Sequence, residues 1–288
     1  MPLIGFQCPN KVVTKPSFTY CITTCSKKCM SLPLLLALMR DKDVEEGVYS
    51  ITELPNPRQQ VYLKRHSDYW INPFFSTFAL FGTAVHSIIE SQKDKIKDLN
   101  LDKAFIIEDR KRVDFNGVTV SGRADLYDVE SKTVYDYKTI KAYAMRKMLD
   151  GEFEDNSYAL QLNGYRYFFY PEAEHLIIEA FVKDWSYAIM DSSGMKPLER
   201  VEVPMLSDML VAREYQKLID GHLKVERTGE VPPCTRAEVW FNENPRSPQC
   251  GAPIRCRDYC EVNAVCKQYE SFQLETDDGA RKRIYPKK

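Results

Sequence analysis

Long apolar runs are missing from this chain of 288 residues. No stretch approaches the ~20 consecutive apolar residues that a bilayer-spanning helix needs, so no membrane partner is expected. The short apolar run "SLPLLLALM" (31–39) begins well inside the sequence and lacks a small-residue cleavage site, which makes it a poor signal peptide. A cytoplasmic protein is expected. Net charge is nearly absent as well: 40 Lys and Arg face 41 Asp and Glu, for a formal −1. No global field therefore advertises a polyanionic partner. A Gly-x4-Gly-Lys-Ser/Thr loop is absent, which excludes a built-in nucleotide-driven motor. Internal repeats and low-complexity tracts are absent too.

What the chain does have is cysteine, nine in all. In a reducing compartment that number argues for metal rather than disulfides. Cys8, Cys21, Cys25 and Cys29 sit in a polar, Lys-rich opening segment. Cys250, Cys256, Cys260 and Cys266 lie within "CGAPIRCRDYCEVNAVC". Cys234 is the odd one out and reads most simply as a free thiol. The apparent organisation is a cysteine-rich segment over 1–30, a core over 31–230, a second cysteine-rich segment over 231–270 and a basic tail over 271–288. The last eight residues, "RKRIYPKK", hold five basic side chains and no acid, which is the composition of a solvated terminus.

Hydrophobic periodicity orders the core. "GTAVHSIIESQKDKIKDL" (82–99) has the 3.6-residue spacing of a helix. Strand-like runs follow at 104–115, 117–129 and 132–140, the first two joined by Asn116-Gly117, a strong hairpin signal. A helix is expected over 157–170, a strand over 175–185 and a long amphipathic helix over 205–227. Pro55, Pro57 and Pro73 argue against long elements in 47–80. The order implies one α/β domain, a mixed central sheet flanked by helices, with cysteine-rich segments at both ends.

Two aspartates look out of place. Asp125 lies in "GRADLYD" and Asp136 in "VYDYKT", both inside runs that read as buried strands. A buried carboxylate is costly unless it is paired or binds a metal. Hard oxygen ligands of this kind suit Mg²⁺ or Mn²⁺. Asp136 and Lys138 are i and i+2, so they share a strand face, while the Tyr137 backbone carbonyl stays available at the strand edge. Asp-x-Lys alone is common by chance. Here it is accompanied by His86 on the upstream helix and by Gln161 and Tyr165, i and i+4 on the downstream one.

Together these residues resemble the RecB-like branch of the PD-(D/E)XK nucleases. "GTAVHSIIE" is similar to that family's histidine motif, "GRADLYD" to its first acidic motif, "VYDYKT" to its D/E-x-K motif and "QLNGY" to its Gln-x-x-x-Tyr motif. The resemblance implies a restriction-endonuclease-like fold and metal-dependent cleavage of DNA. It implies that His86, Asp125, Asp136 and the Tyr137 carbonyl hold Mg²⁺ or Mn²⁺, and that Asp125, Asp136 and Lys138 are the catalytic residues. It places Gln161 and Tyr165 along the DNA path. It further implies a [4Fe-4S] cluster on Cys29, Cys256, Cys260 and Cys266, although the Cys-x3-Cys-x5-Cys spacing departs by one residue from the usual pattern. Zinc is the alternative occupant. Cys8, Cys21 and Cys25 then remain. A second site formed by them with Cys250, or one formed by them with Cys29, both stay open.

The expected function is an exonuclease acting on DNA ends or single strands in recombination, repair or phage DNA processing, with a helicase or recombination protein as partner. The rival readings are a non-catalytic DNA-end-binding subunit and a zinc-stabilised adaptor. DNA contacts are expected from Lys141, Arg146 and Lys147 just after the catalytic strand, from Arg166, and from the tail 281–288. His66, His175 and His222 belong to no motif.

Overall fold

A computed structural model describes residues 3–10, 13–39, 44–153, 157–244, 247 and 250–277. The basic tail 281–288 lies outside the described residues. In chain order the elements are β1 (Leu3–Phe6), α1 (Leu32–Leu38), β2 (Val48–Ser50), α2 (Arg58–His66), β3 (Tyr69–Ile71), α3 (Pro73–Glu90) and α4 (Lys93–Asp98). They continue with β4 (Phe105–Phe115), β5 (Val118–Asp128), β6 (Thr133–Ile140), α5 (Ala142–Leu149), α6 (Ser157–Phe169), β7 (His175–Val182) and α7 (Tyr187–Ser193). β8 (Leu198–Glu202), α8 (Asp208–Thr228), α9 (Arg236–Val239) and α10 (Lys267–Asp277) complete the order. Two single π-turns, Tyr20–Thr24 and Arg255–Tyr259, lie in the cysteine segments. The class is mixed α/β, with a mixed sheet flanked by helices and cysteines towards both ends, as the sequence implies. Among the described residues no helix is long and apolar enough to cross a membrane.

By contact the chain divides into two units. One contains 45–55 and 81–220 and holds the six-stranded sheet, ordered β2-β5-β6-β7-β8 with β4 also on β5. Asn116 and Gly117 both take positive φ, 51° and 82°, as the tight β4–β5 hairpin requires. β6 and β7 pair in parallel, and Val134, Leu176 and Ile178 are fully buried, as expected of strands covered on both faces.

β5 is the organising strand. β4 runs antiparallel along almost its whole length on one side. The other side is shared: β2 pairs with Thr119–Ser121, and β6 pairs with Leu126–Asp128. Between those two ladders, residues 122–124 of β5 pair with β4 alone and Asp125 pairs with neither neighbour. β6 meanwhile continues past Tyr135 paired only with β7. The sheet therefore forks, and Asp125 and Asp136 face each other at the first step beyond the last β5–β6 pair, Leu126 with Tyr135.

Gly122 lets α6 settle on this fork. A Cβ there would meet Phe169 Cε2 at 2.3 Å and Tyr165 Cε1 at 3.0 Å, both side chains of α6. A bare backbone is the only surface that admits the helix this closely.

The other unit contains 1–44, 56–80 and 221–288. Its small parallel sheet, β1 with β3, buries Leu3, Phe6, Tyr69 and Ile71 against α1 and Val262. Gln7 Nε2 donates to Asn263 Oδ1 at 2.7 Å, and Lys15 Nζ to the Ala264 carbonyl at 2.7 Å. Segments more than 240 residues apart in sequence are thus joined by packing and hydrogen bonds. Both cysteine segments belong to this unit, together with 31–44, 56–80 and 221–230 from the expected core.

The expected helix 82–99 is two helices, and the first begins nine residues earlier, at Pro73. Proline is well placed at a first helical position, where its missing N–H would be unsatisfied anyway. Asn72 Oδ1 caps the same end, accepting from Phe74 N at 3.0 Å and Phe75 N at 3.4 Å.

Candidate active site

Five elements of the six-stranded unit converge on the fork. α3 supplies His86, β4 Glu108, β5 Asp125, β6 Asp136 and Lys138, and α6 Gln161 and Tyr165. His86 Nδ1 lies 3.2 Å from both Asp125 Oδ1 and Glu108 Oε1. Hydrogen bonds to Asp125 and then Glu108, both buried, push the His86 pKa up to about 10; a cation held by the two carboxylates would oppose that rise and take the ring as a neutral ligand. His86, Glu108 and Asp125 offer ligand atoms all within 4.8 Å of one another, an arrangement able to hold a metal ion.

Asp125 has a second task. Its Oδ2 accepts the Tyr137 N–H at 2.6 Å, bridging the fork in place of a ladder bond. In a strand the N–H and C=O of one residue face the same edge, so the Tyr137 carbonyl also looks into the fork. Asp136 is 1% exposed. Burial pushes its pKa up to about 6; the Lys138 ammonium opposes that rise and the Asp125 carboxylate adds to it. Lys138 Nζ donates to Asp136 Oδ1 at 2.8 Å, and Gln161 Nε2 donates to the same oxygen at 3.0 Å. Lys138 Nζ also comes within 2.6 Å of Oδ2, yet Oδ2 receives no well-directed hydrogen bond. A buried carboxylate held by Lys138 and Gln161, one oxygen of which lacks a well-directed hydrogen bond, beside two more carboxylates and an imidazole, fits a hard divalent cation.

Glu108 is the residue the sequence reading missed. It is 7% exposed, takes φ 48° within β4 and receives Arg123 Nε on Oε2 at 2.7 Å. It stands opposite Asp125, between the paired positions Ile107–Leu126 and Asp109–Ala124. A non-glycine residue in this conformation costs of the order of 1–3 kcal/mol and clusters at functional sites. The only signal in the sequence is an acid in an apolar run, "AFIIED", which also describes many surface strands.

Gln161 and Tyr165 share a helix face as expected, but the face turns inward. Gln161 is 7% and Tyr165 4% exposed, and Gln161 Nε2 also donates to Tyr165 OH at 3.3 Å. Arg166, expected at the DNA surface, is instead buried, paired with Asp208 and donating to the Leu206 carbonyl. It anchors the start of α8 to α6 because it faces away from the Gln161 side of the helix. Lys141 and Arg146 are exposed at α5, directly after β6, and Lys147 is half-buried, with Glu152 at 3.7 Å. His66 and His175 pair with Glu226 and Glu202, each at 2.8 Å, and His222 is buried.

The cysteines fall into two groups. Cys8, Cys21, Cys25 and Cys29 line one cavity, and Cys234, Cys256, Cys260 and Cys266 line another. Cys29 and Cys260 pack against the same apolar cluster, yet Cys29 keeps company with the N-terminal set rather than the C-terminal trio. Its place beside the trio is taken by Cys234. Gln268 fixes that residue, accepting the Cys234 N–H at 2.8 Å and donating to its carbonyl at 2.9 Å. Cys250 is exposed and lines neither cavity. No disulfide joins any of the nine. Burial, reinforced by Cys260 and Cys266, pushes the Cys256 thiol up to about 12, the opposite of an activated nucleophile.

No protein-family model matches the chain, and no curated protein matches it. Among solved structures, the chain is similar to a protein designated SSO0001, with TM-score 0.47, 17% identity, and 82% of this chain and 92% of that one covered. It is also similar to a phage-related exonuclease from Haemophilus somnus 129PT, with TM-score 0.31, 17% identity, and 52% of this chain and 79% of that one covered.

Proposed function

We propose that the protein is a divalent-metal-dependent DNA nuclease of the RecB-like PD-(D/E)XK type, acting as an exonuclease on ends or single strands. One observation carries the reading: three acids, a histidine and a lysine, drawn from four separate elements, meet at a fork in the sheet. Asp125, Asp136, Glu108, His86 and the Tyr137 carbonyl are the groups that would hold Mg²⁺ or Mn²⁺. Bound there, the cation would acidify a water and neutralise phosphate charge. Lys138, fixed by Asp136, is positioned to orient the attacking water and to offset charge developing on the phosphate. Gln161 holds Asp136 from the α6 side, so its role is to orient the carboxylate. Lys141 and Arg146 lie where β6 leaves the site and would meet the DNA backbone.

A [4Fe-4S] cluster on Cys234, Cys256, Cys260 and Cys266 is part of the same proposal. Its support is the cavity that all four line.

The test is direct. Labelled linear and circular DNA are incubated with the purified protein, with and without Mn²⁺. Metal-dependent loss of linear DNA, with circular DNA spared, is expected. No cleavage under any condition, with end binding retained, would show a non-catalytic DNA-binding subunit instead.

A further inference from the structure

Each four-cysteine cavity is built on the same local device. In the N-terminal one the chain makes an isolated bridge at Ser17 to Gly5, then enters the π-turn Tyr20–Thr24, closed by the Cys25 N–H bonding the Tyr20 carbonyl at 3.0 Å. In the C-terminal one it bridges at Pro253 to Phe241, then enters the π-turn Arg255–Tyr259, closed by the Cys260 N–H bonding the Arg255 carbonyl at 2.8 Å. Both turns carry a cysteine at their second position, Cys21 and Cys256, and another immediately after their end, Cys25 and Cys260. Each pair is thus Cys-x3-Cys across one π-turn.

The remaining ligands come from the same relative places. A third cysteine follows the turn, Cys29 in one case and Cys266 in the other. A fourth arrives from well upstream, Cys8 in one case and Cys234 in the other. Cys21 lies within electrostatic reach of Cys25, Cys29 and Cys8, and Cys256 within reach of Cys260 and Cys266. Basic side chains attend both sets: Lys27 and Lys28 line the first cavity, and Arg255 lies near Cys256 and Cys260 in the second. Cations placed there offset the charge of a thiolate-held centre.

π-turns are rare and concentrate at functional sites, because the extra residue costs hydrogen-bond geometry and needs compensation. Two of them, each presenting the same cysteine pair, are not explained by packing. All four N-terminal cysteines are only partly buried, Cys21 and Cys29 at the edge of the apolar cluster.

We propose that Cys8, Cys21, Cys25 and Cys29 form a second iron–sulfur site, complete in itself and separate from the C-terminal one. The choice of iron over zinc follows the occupant proposed for the C-terminal set, which shares the same turn and cysteine pattern. Assembly expels the thiol protons, and because the four ligands span residues 8 to 29, the binding free energy stabilises the opening segment. The inference does not rest on the nuclease reading.

The experiment uses the full chain purified anaerobically, with iron, zinc and acid-labile sulfide counted per chain. Two four-iron clusters give about eight irons and eight sulfides. Cys21→Ser/Cys25→Ser is expected to halve the iron, Cys256→Ser/Cys260→Ser to halve it likewise, and Cys250→Ser to leave it unchanged. About four irons in the unaltered chain, all retained by Cys21→Ser/Cys25→Ser, would overturn the proposal. One zinc per chain that disappears with the same double variant would also overturn it, since the occupant would then not be a cluster. The count in the unaltered chain decides between one cluster and two even if a variant fails to fold.

Discussion

At the scale of single residues, Glu108 and Asp125 carry charges that repel across neighbouring strands, and His86 is the group that makes the arrangement tolerable. A divalent cation would satisfy both acids at once. Glu108→Gln keeps the volume and the Arg123 contact but removes one negative charge from the set. It is expected to lower Mn²⁺-dependent cleavage roughly 10- to 100-fold, the range seen when groups around a metal are altered. Single-turnover rates across a Mn²⁺ titration would show a shifted midpoint, and an unchanged midpoint would remove Glu108 from the ligand set. Asp136→Asn and Lys138→Ala address the other half of the site. Each is expected to abolish cleavage while circular dichroism stays native, because their side chains serve each other and the fork rather than the apolar core. Undiminished cleavage by either variant would sink the active-site assignment.

Elements decide how those residues meet. α6 reaches the site only because Gly122 leaves room for Phe169 and Tyr165. Gly122→Ala should destabilise the sheet unit by about 1–3 kcal/mol, the usual cost of overpacking. It should also reduce activity by more than the loss of folded protein explains, since the displaced helix carries Gln161 away from Asp136. Urea unfolding and cleavage rates on the same preparation separate the two effects; full activity in the folded fraction would show that Gln161 is dispensable. α5 is the element that leaves the site, and it presents Lys141 and Arg146 to solvent. Lys141→Ala/Arg146→Ala/Lys147→Ala should weaken DNA binding and flatten its dependence on salt, because each lost phosphate contact releases fewer counterions. A salt slope equal to that of the unaltered protein would place the DNA elsewhere.

For the molecule as a whole, the question is what closes the chain. The expectation was a cluster linking Cys29 to Cys266. The two cysteine segments are joined by protein contacts: Val262 in a cluster with Leu3 and Phe6, and Asn263 between Gln7 and the Cys256 carbonyl. Asn263 is 7% exposed and donates to Cys256 O at 2.9 Å. Asn263→Ala leaves those partners unmet and should cost about 1–3 kcal/mol, read as a lowered melting temperature of the anaerobic protein. No change in melting would mean that the Asn263 hydrogen bonds do not help to hold the two segments together.

Much of this was written in the chain itself. Alternation and turn chemistry set the three long strands and the Asn116-Gly117 hairpin, because both are local properties of the backbone. Asp125, Asp136 and Lys138 stood out because a charge in an apolar run needs a reason, and His86 as their companion on the upstream helix. Pro73 misled, since a proline that ends one helix begins another equally well. Three things were decided only by tertiary structure. Glu108 became a site residue through strand pairing and a left-handed φ, neither of which leaves a mark on a single strand's sequence. Arg166 and Tyr165 were turned inward by the packing of α6, which periodicity on its own does not orient. The cysteines sorted into two sets by proximity in space, with Cys234, 22 residues before Cys256, lining the cavity of the C-terminal trio, because spacing in sequence limits which side chains are able to meet but does not choose among them.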